Sequence, residues 1–167
     1  MLARPQFGSK IEDVKKQGVE VIIALDVSNS MLAEDIQPDR LTRAKQAISR
    51  LVDNLDNDKI GLIVFAGDAY TQIPVTTDYV SAKMFLSAIS PAMVPKQGTA
   101  IGAAISLGIR SFSPGEGKSK AMIIITDGEN HEDNPVVTAE EAAKAGIIIH
   151  TIAVSYTHLT LPTNREV

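Results

Sequence analysis

The chain has no cysteine and no tryptophan among its 167 residues. Without cysteine there is no disulfide framework, no thiolate nucleophile and no zinc site built on sulfur. Aromatic residues make up only 4% of the chain, which argues against a platform for stacking bases or sugars. These absences leave a protein whose core is aliphatic and whose chemistry depends on oxygen and nitrogen groups.

Basic charge is also scarce. The 16 Lys and Arg residues are outnumbered by 20 Asp and Glu residues, for a net charge of −4, and no basic stripe is present. Nucleic acid is therefore not an expected partner. No apolar run approaches the roughly 20 residues that a membrane-spanning helix needs. Hydrophobic residues nevertheless reach 44%, enough for one domain with a substantial core.

Four continuous apolar runs predict buried strands: Val21–Leu25, Ile60–Phe65, Ala121–Ile125 and Ile147–Val154. Runs that do not alternate with polar residues are typical of parallel strands covered by helices on both faces. A fifth run, Thr71–Val75, contains Pro74. Because proline cannot donate a hydrogen bond to a neighbouring strand, this run is expected at a sheet edge.

Segments with helical spacing separate the runs. The first follows Asp39, a predicted N-cap, and two more are expected at about 78–88 and 100–112. A fourth is expected to begin with a capping box from Thr138 to Glu141 and to end before Gly146. This alternation predicts an α/β fold, with a doubly wound, mostly parallel sheet and helices on both faces.

The two ends of the chain carry no such pattern. Residues 1–18 are interpreted as a polar lead-in and residues 19–154 as the folded domain. The strand and helix alternation stops where another helix and strand would follow, so the domain is interpreted as C-terminally truncated. Residues 155–167 are interpreted as a non-native tail.

Polar side chains follow the predicted strands at one edge of the sheet. Asp26, Ser28 and Ser30 alternate in the turn after the first strand, Asp127 follows the strand that ends at residue 126, and Thr99 precedes a helix. Ligands of open parallel sheets bind beyond the carboxyl ends of the strands, so we expect these five side chains to converge.

Such a set contains only hard oxygen donors. It favours Mg²⁺, with Mn²⁺ or Ca²⁺ as alternatives. Zinc and copper are disfavoured, because cysteine is absent and neither His131 nor His150 has ligand spacing to another histidine. Both histidines are expected to be structural.

The pattern Asp26-x-Ser28-x-Ser30, followed by Thr99 and then by Thr126-Asp127-Gly128, resembles the metal-ion-dependent adhesion site (MIDAS) of von Willebrand factor type A (VWA) domains. The resemblance covers 19–154 and implies the Rossmann-like VWA fold. More specifically, Ala3–Gln6 and Val21–Ile36 are similar to segments of the bacterial aerotolerance (Bat) proteins.

The resemblance implies a protein-binding domain without catalytic activity. Its metal would be completed by a carboxylate of the partner, and a switch between Thr99 and Asp127 as direct ligand would accompany a change in affinity. Partners implied in this way are related VWA proteins and a MoxR-type ATPase. The parent protein would be anchored in the membrane of a bacterial envelope, with this domain in the periplasm.

Two other functions stay open on the sequence. In a Mg²⁺-dependent phosphohydrolase, Asp26 would be the nucleophile. Against this, no carboxylate lies two residues after Asp26, and no lysine accompanies the strand ends. The segment Gly115–Ser119 is not a phosphate-binding loop, because it precedes a strand. The other alternative is a structural domain with an empty site.

Two features near the predicted site receive structural interpretations. Gly102 is expected to serve close packing. The acidic residues Glu129, Glu132 and Asp133 are expected to form a solvated loop, with attraction of cations and repulsion of unsuitable partners as the functional alternative.

Overall fold

The computed structural model describes residues 18–115, 117–128 and 133–154. In this part of the chain, five strands and four α-helices follow one another: β1 (Glu20–Asp26), α1 (Arg40–Asp53), β2 (Lys59–Phe65), β3 (Ala69–Thr76), α2 (Tyr79–Ala88), α3 (Ile101–Ser111), β4 (Lys120–Thr126), α4 (Pro135–Lys144) and β5 (Ile147–Ala153). Short 3-10 helices occupy Asn29–Leu32 and Pro91–Met93. The predicted lead-in and tail lie outside the described residues, apart from Gly18.

The strands form one sheet in the order β3-β2-β1-β4-β5. β1 is parallel to both of its neighbours, with Ile23 level with Leu62 on β2 and with Ile123 on β4. β5 is parallel to β4, whereas β3 is antiparallel to β2. The run that contains Pro74 therefore lies at an edge, as predicted, and the sheet is mostly parallel.

Both faces of the central strand are buried. Ile23 and Leu25 pack in a core with the inner faces of α1 and α2, while Ile22 and Ala24 pack with α3 and α4 on the other face. All seven residues of β1 are buried, which explains why its sequence is a continuous apolar run. This arrangement confirms the predicted doubly wound α/β fold.

The starts of the helices confirm one predicted cap and correct another. The Asp39 side chain accepts from the Thr42 N–H at 2.7 Å, as expected for the N-cap of α1. α4 begins at Pro135 with Asn134 as its cap, so the predicted capping box at Thr138 was wrong. Thr138 lies inside the helix, where its hydroxyl donates to the Pro135 carbonyl at 3.0 Å. Proline at the first helical position was the signal for the earlier start.

The C-terminal end of α4 agrees with the prediction. Gly146 follows the helix and adopts a φ of +74°, a left-handed conformation that glycine adopts without steric cost. The chain then enters β5 at Ile147.

Glu20 begins β1 at the amino end of the strands and is fully buried. Its Oε2 accepts from the Ser113 N–H at 3.0 Å, and its Oε1 lies 3.4 Å from Lys59 Nζ. Burial raises the pKa of this carboxyl, but the hydrogen bonds from Ser113 and Lys59 and the charge of Lys59 outweigh it and lower the pKa below its ordinary value.

The strand order also locates the crevice where ligands are expected. From β1 the chain crosses through α1 to β2 on one side, whereas β4 lies on the other side of β1. The order of the strands thus reverses between β1 and β4, and open α/β sheets bind ligands beyond the carboxyl ends at such a point.

In the described residues, no helix combines the length and apolar character needed to cross a bilayer.

Candidate metal centre

Asp26 is the last residue of β1 and lies at this crevice. Its side chain is fully buried. Oδ1 accepts from the Ser28 N–H at 2.9 Å, and Oδ2 accepts from the Thr126 hydroxyl at 2.7 Å. Thr126 is itself buried at the end of β4. One carboxylate therefore connects the ends of the two strands that flank the crevice.

The environment of Asp26 disfavours its negative charge. Burial raises its pKa above the ordinary value, the hydrogen bonds from Ser28 and Thr126 lower it, and the nearby charge of Asp127 raises it again. The net result is a raised pKa. Asp127, which directly follows β4, is thus close enough to Asp26 for their charges to repel. A cation between them would relieve this repulsion.

Ser28 and Ser30 present their hydroxyls side by side. The two Oγ atoms are 2.9 Å apart, with Ser28 buried and Ser30 exposed. Ser28 precedes the short helix Asn29–Leu32 without capping it through its side chain. Buried Met31 anchors this turn, its N–H donating to the Ser28 carbonyl at 3.0 Å. The serines are therefore not explained as helix caps.

Thr99 is buried in the loop before α3. This loop is fastened to the crevice at two points: the Ala100 N–H donates to the Ala66 carbonyl at 2.7 Å, and the Gln97 side chain accepts from the Asn29 N–H at 3.1 Å. The second bond joins the loop of Thr99 to the turn that carries the two serines. Thr99 and the two serines therefore lie on segments that are joined by a hydrogen bond.

Asp127 follows β4 and forms an ion pair that sequence analysis missed. Its Oδ2 lies 3.2 Å from Arg40 Nη1. Arg40, the first residue of α1, also holds Asp35 through Nε at 2.8 Å and Nη2 at 2.7 Å. No lysine accompanies the strand ends in the sequence, but the side chain of this arginine reaches the end of β4. Its position after the N-cap Asp39 placed it at the correct end of α1 without indicating where its side chain would lie.

Asp133 makes a contact that was not predicted. Its carboxylate accepts from the N–H groups of Gly102 and Ala103 at 3.0 and 2.7 Å, at the start of α3. Asp133 is exposed, as predicted for a solvated loop, and it also binds the start of a helix, which was not predicted. A Cβ at residue 102 would lie 2.8 Å from Asp133 Oδ2, so Gly102 serves close packing, as predicted.

The remaining polar residues considered from the sequence are three in the loop after β4 and His150. Glu129, His131 and Glu132 lie outside the described residues. His150 is exposed on the edge strand β5, in keeping with the expectation that it is not a ligand.

The donor set fits a hard divalent cation. In the described residues, His, Cys, Asp and Glu form no group of three suited to a metal, so a metal here would need the hydroxyls of Ser28, Ser30 and Thr99 beside the two carboxylates. Neutral and anionic oxygens of this kind suit Mg²⁺, Mn²⁺ or Ca²⁺ better than a soft metal.

The chain combines a doubly wound sheet with a MIDAS-like pattern of side chains between β1 and β4, where the strand order reverses. This combination defines a class of protein. The family model for the von Willebrand factor type A domain matches residues 20–165, and the chain belongs to this family.

The chain is similar to proteins related to bacterial aerotolerance. It is 65% identical to the conserved hypothetical protein BatB from Bacteroides thetaiotaomicron, with a TM-score of 0.80 over 81% of this chain and 66% of that one. It is 60% identical to an aerotolerance-related membrane protein from Bacteroides fragilis, with a TM-score of 0.79 over 82% of this chain and 68% of the other.

Curated relatives are longer than this chain. A UPF0353 protein from Mycolicibacterium paratuberculosis is 34% identical over 165 residues, which cover 85% of this chain and 48% of that protein. The chain thus spans about half the length of this relative. At the level of fold alone, it matches the mussel byssus protein PTMP1 (21% identity, TM-score 0.71, 81% of this chain and 35% of that one), whose structure is described with a zinc-occupied MIDAS motif.

Proposed function

We propose that this domain binds a divalent cation, Mg²⁺ in preference to Mn²⁺ or Ca²⁺, and uses it to bind a protein partner. Asp26, Ser28, Ser30, Thr99 and Asp127 would hold the metal. The observation that carries this proposal is Asp26, a fully buried carboxylate beside a second one, with its pKa raised. Natural proteins keep such a costly arrangement at functional sites.

The chemistry of the ligands favours binding over turnover. Three of the five donors are neutral hydroxyls, so a bound dication would stay electrophilic if Asp26 or Asp127 coordinates it only through water. A carboxylate from a partner protein is the ligand that best completes such a shell, because it adds a hard, anionic oxygen. The metal would thus link two proteins through a single acidic side chain.

The choice of Mg²⁺ rests on the donor atoms. The zinc in the MIDAS motif of PTMP1 supports metal binding at this type of motif, but that protein shares only the fold with this chain. Here the oxygen donors favour a hard cation.

The phosphohydrolase alternative agrees less well with the geometry. A nucleophilic carboxylate must reach its substrate, whereas Asp26 is fully buried and both of its oxygens accept hydrogen bonds. Arg40 could attract a phosphate, but its guanidinium is already held by two carboxylates. We therefore favour a domain that is not an enzyme.

The similar proteins support a cellular location for the whole protein. One similar structure is described as an aerotolerance-related membrane protein. We infer that the parent protein is anchored in the membrane of a bacterial envelope with this domain in the periplasm. The similarity to Bat proteins further suggests related VWA proteins and a MoxR-type ATPase as partners.

The test compares thermal unfolding with and without Mg²⁺, Mn²⁺ and Ca²⁺. A metal at a hundredfold its Kd should stabilise the wild-type domain by about 2.7 kcal/mol. Ser30→Ala should lose most of this stabilisation, whereas Ser49→Ala on α1, away from the crevice, should retain it. Equal stabilisation of both variants would refute the assigned ligands. No stabilisation of the wild type would refute the site and leave a purely structural domain.

The carboxylate ligand is tested with Mn²⁺ as a probe. The electron paramagnetic resonance lines of protein-bound Mn²⁺ should broaden with ¹⁷O-labelled acetate, because an acetate oxygen enters the coordination shell. Unlabelled acetate is the control. Identical spectra with the two acetates would contradict completion of the shell by an external carboxylate.

A further inference from the structure

We propose that Arg40 is a positioning residue that sets the charge of the metal site and thereby permits an acidic partner to bind. This inference rests on the proposed function and adds a residue outside the five ligands. It starts from the ion pairs that join Arg40 to Asp127 on one side and to Asp35 on the other.

The guanidinium is fixed in place. Nε and Nη2 each donate a hydrogen bond to Asp35, and Nη1 donates one to Asp127. At the backbone, the Arg40 N–H donates to the Ala33 carbonyl at 3.1 Å, and the side chain is only 18% exposed. Planar, two-point contacts of this kind hold an arginine more firmly than a single ion pair. Arg40 therefore acts as a permanent positive charge beside the crevice.

The first consequence concerns the number of charges. Asp26, Asp127 and Asp35 with Arg40 carry two negative charges in total, which one dication neutralises. Without Arg40 the loaded site would remain anionic. A partner carboxylate would then approach a repulsive field, although the metal itself would be held more tightly.

The second consequence concerns Asp127. Arg40 donates to its Oδ2, so this oxygen shares its negative charge with the guanidinium and would be a weaker metal ligand while the pair is intact. Arg40 thus limits how strongly Asp127 can neutralise the metal. Both consequences act in the same direction, since each leaves the cation more attractive to an external carboxylate.

The test measures Mn²⁺ affinity by calorimetry for the wild type and for two variants that break the same ion pair. Arg40→Gln removes a positive charge and should bind Mn²⁺ roughly three- to tenfold more tightly. Asp35→Asn removes a negative charge and should bind it more weakly by a similar factor. Loss of a merely structural ion pair would weaken binding in both variants, and that result would overturn the proposal.

A second measurement compares acetate with chloride at equal ionic strength. Acetate should strengthen Mn²⁺ binding by the wild type, because it joins the metal, and this effect should shrink in Arg40→Gln. Arg40→Lys keeps the charge and should retain the effect even if Arg40→Gln folds poorly. An effect lost equally in the Lys and Gln variants would refute the role of charge. Failure of the wild type to bind Mn²⁺ would instead refute the proposed function, and this inference with it.

Discussion

Replacing Thr126 with valine removes the hydroxyl that connects the ends of β1 and β4 while keeping the shape of the side chain. That hydroxyl donates to Asp26 Oδ2 at 2.7 Å and accepts from the Gly128 N–H at 3.2 Å. Loss of the first bond leaves one oxygen of a buried carboxylate without this donor, at a cost of about 1.5–3 kcal/mol, and loss of the second adds about 0.5–1 kcal/mol. We expect the free energy of unfolding to fall by about 2–4 kcal/mol.

The assay is urea unfolding at neutral pH without metal. Thr126→Ser is the matched control, because it keeps the hydroxyl and loses one methyl group, at a cost of about 1 kcal/mol. The slope of the transition should be unchanged in both variants, since the fold is the same. A valine variant no less stable than the serine variant would show that the hydroxyl does not hold the two strand ends together.

Three further predictions concern stability. Because the pKa of Glu20 is lowered in the folded state, its charge stabilises the fold at neutral pH, and this stability is lost as the pH falls through the acidic range. Glu20→Gln should therefore lose less stability than the wild type between pH 6 and pH 3 in urea unfolding, and an equal loss would contradict the assignment. Gly102→Ala should lower the free energy of unfolding by about 1–2 kcal/mol, because the new Cβ would lie 2.8 Å from Asp133 Oδ2. An unchanged free energy would show that Asp133 moves aside without cost. Ile23→Ala in the fully buried core should lower the free energy of unfolding by about 2–5 kcal/mol. The matched variant Ile152→Ala, at a position that is 49% exposed, should lower it by less than about 1 kcal/mol. Similar losses in the two variants would contradict the assigned core.

The sheet could be predicted because its residues satisfy a simple physical requirement. A strand covered on both faces needs apolar residues throughout, and β1 has them in an unbroken run. Pro74 likewise indicated an edge strand from the missing donor alone. The order of the strands could not be predicted, because it depends on which runs pair across the whole chain. The start of α4 was misplaced because Thr138 satisfied a local capping pattern, whereas Asn134 and Pro135 satisfied a better one.

The candidate ligands could be named from the sequence, but the residues that surround them could not. Asp26 and Asp127 each follow a predicted strand, so strand polarity alone brought them to one edge. Arg40 was missed because a long side chain can extend in many directions, and only the packed helix fixes its contact with Asp127. The contact of Asp133 with the start of α3 was missed for a similar reason, since it joins segments about 30 residues apart in the chain.

The central claim is that the oxygens at the ends of β1 and β4 hold one divalent cation. Crystals grown with Mn²⁺ test it most directly, because anomalous scattering locates that metal without assumptions about its ligands. We expect one strong anomalous peak bounded by Asp26, Ser28 and Ser30, and its absence in Asp26→Asn crystals grown in the same way. A wild-type map with no peak at this crevice at saturating Mn²⁺, or a peak that persists unchanged in Asp26→Asn, would contradict the account.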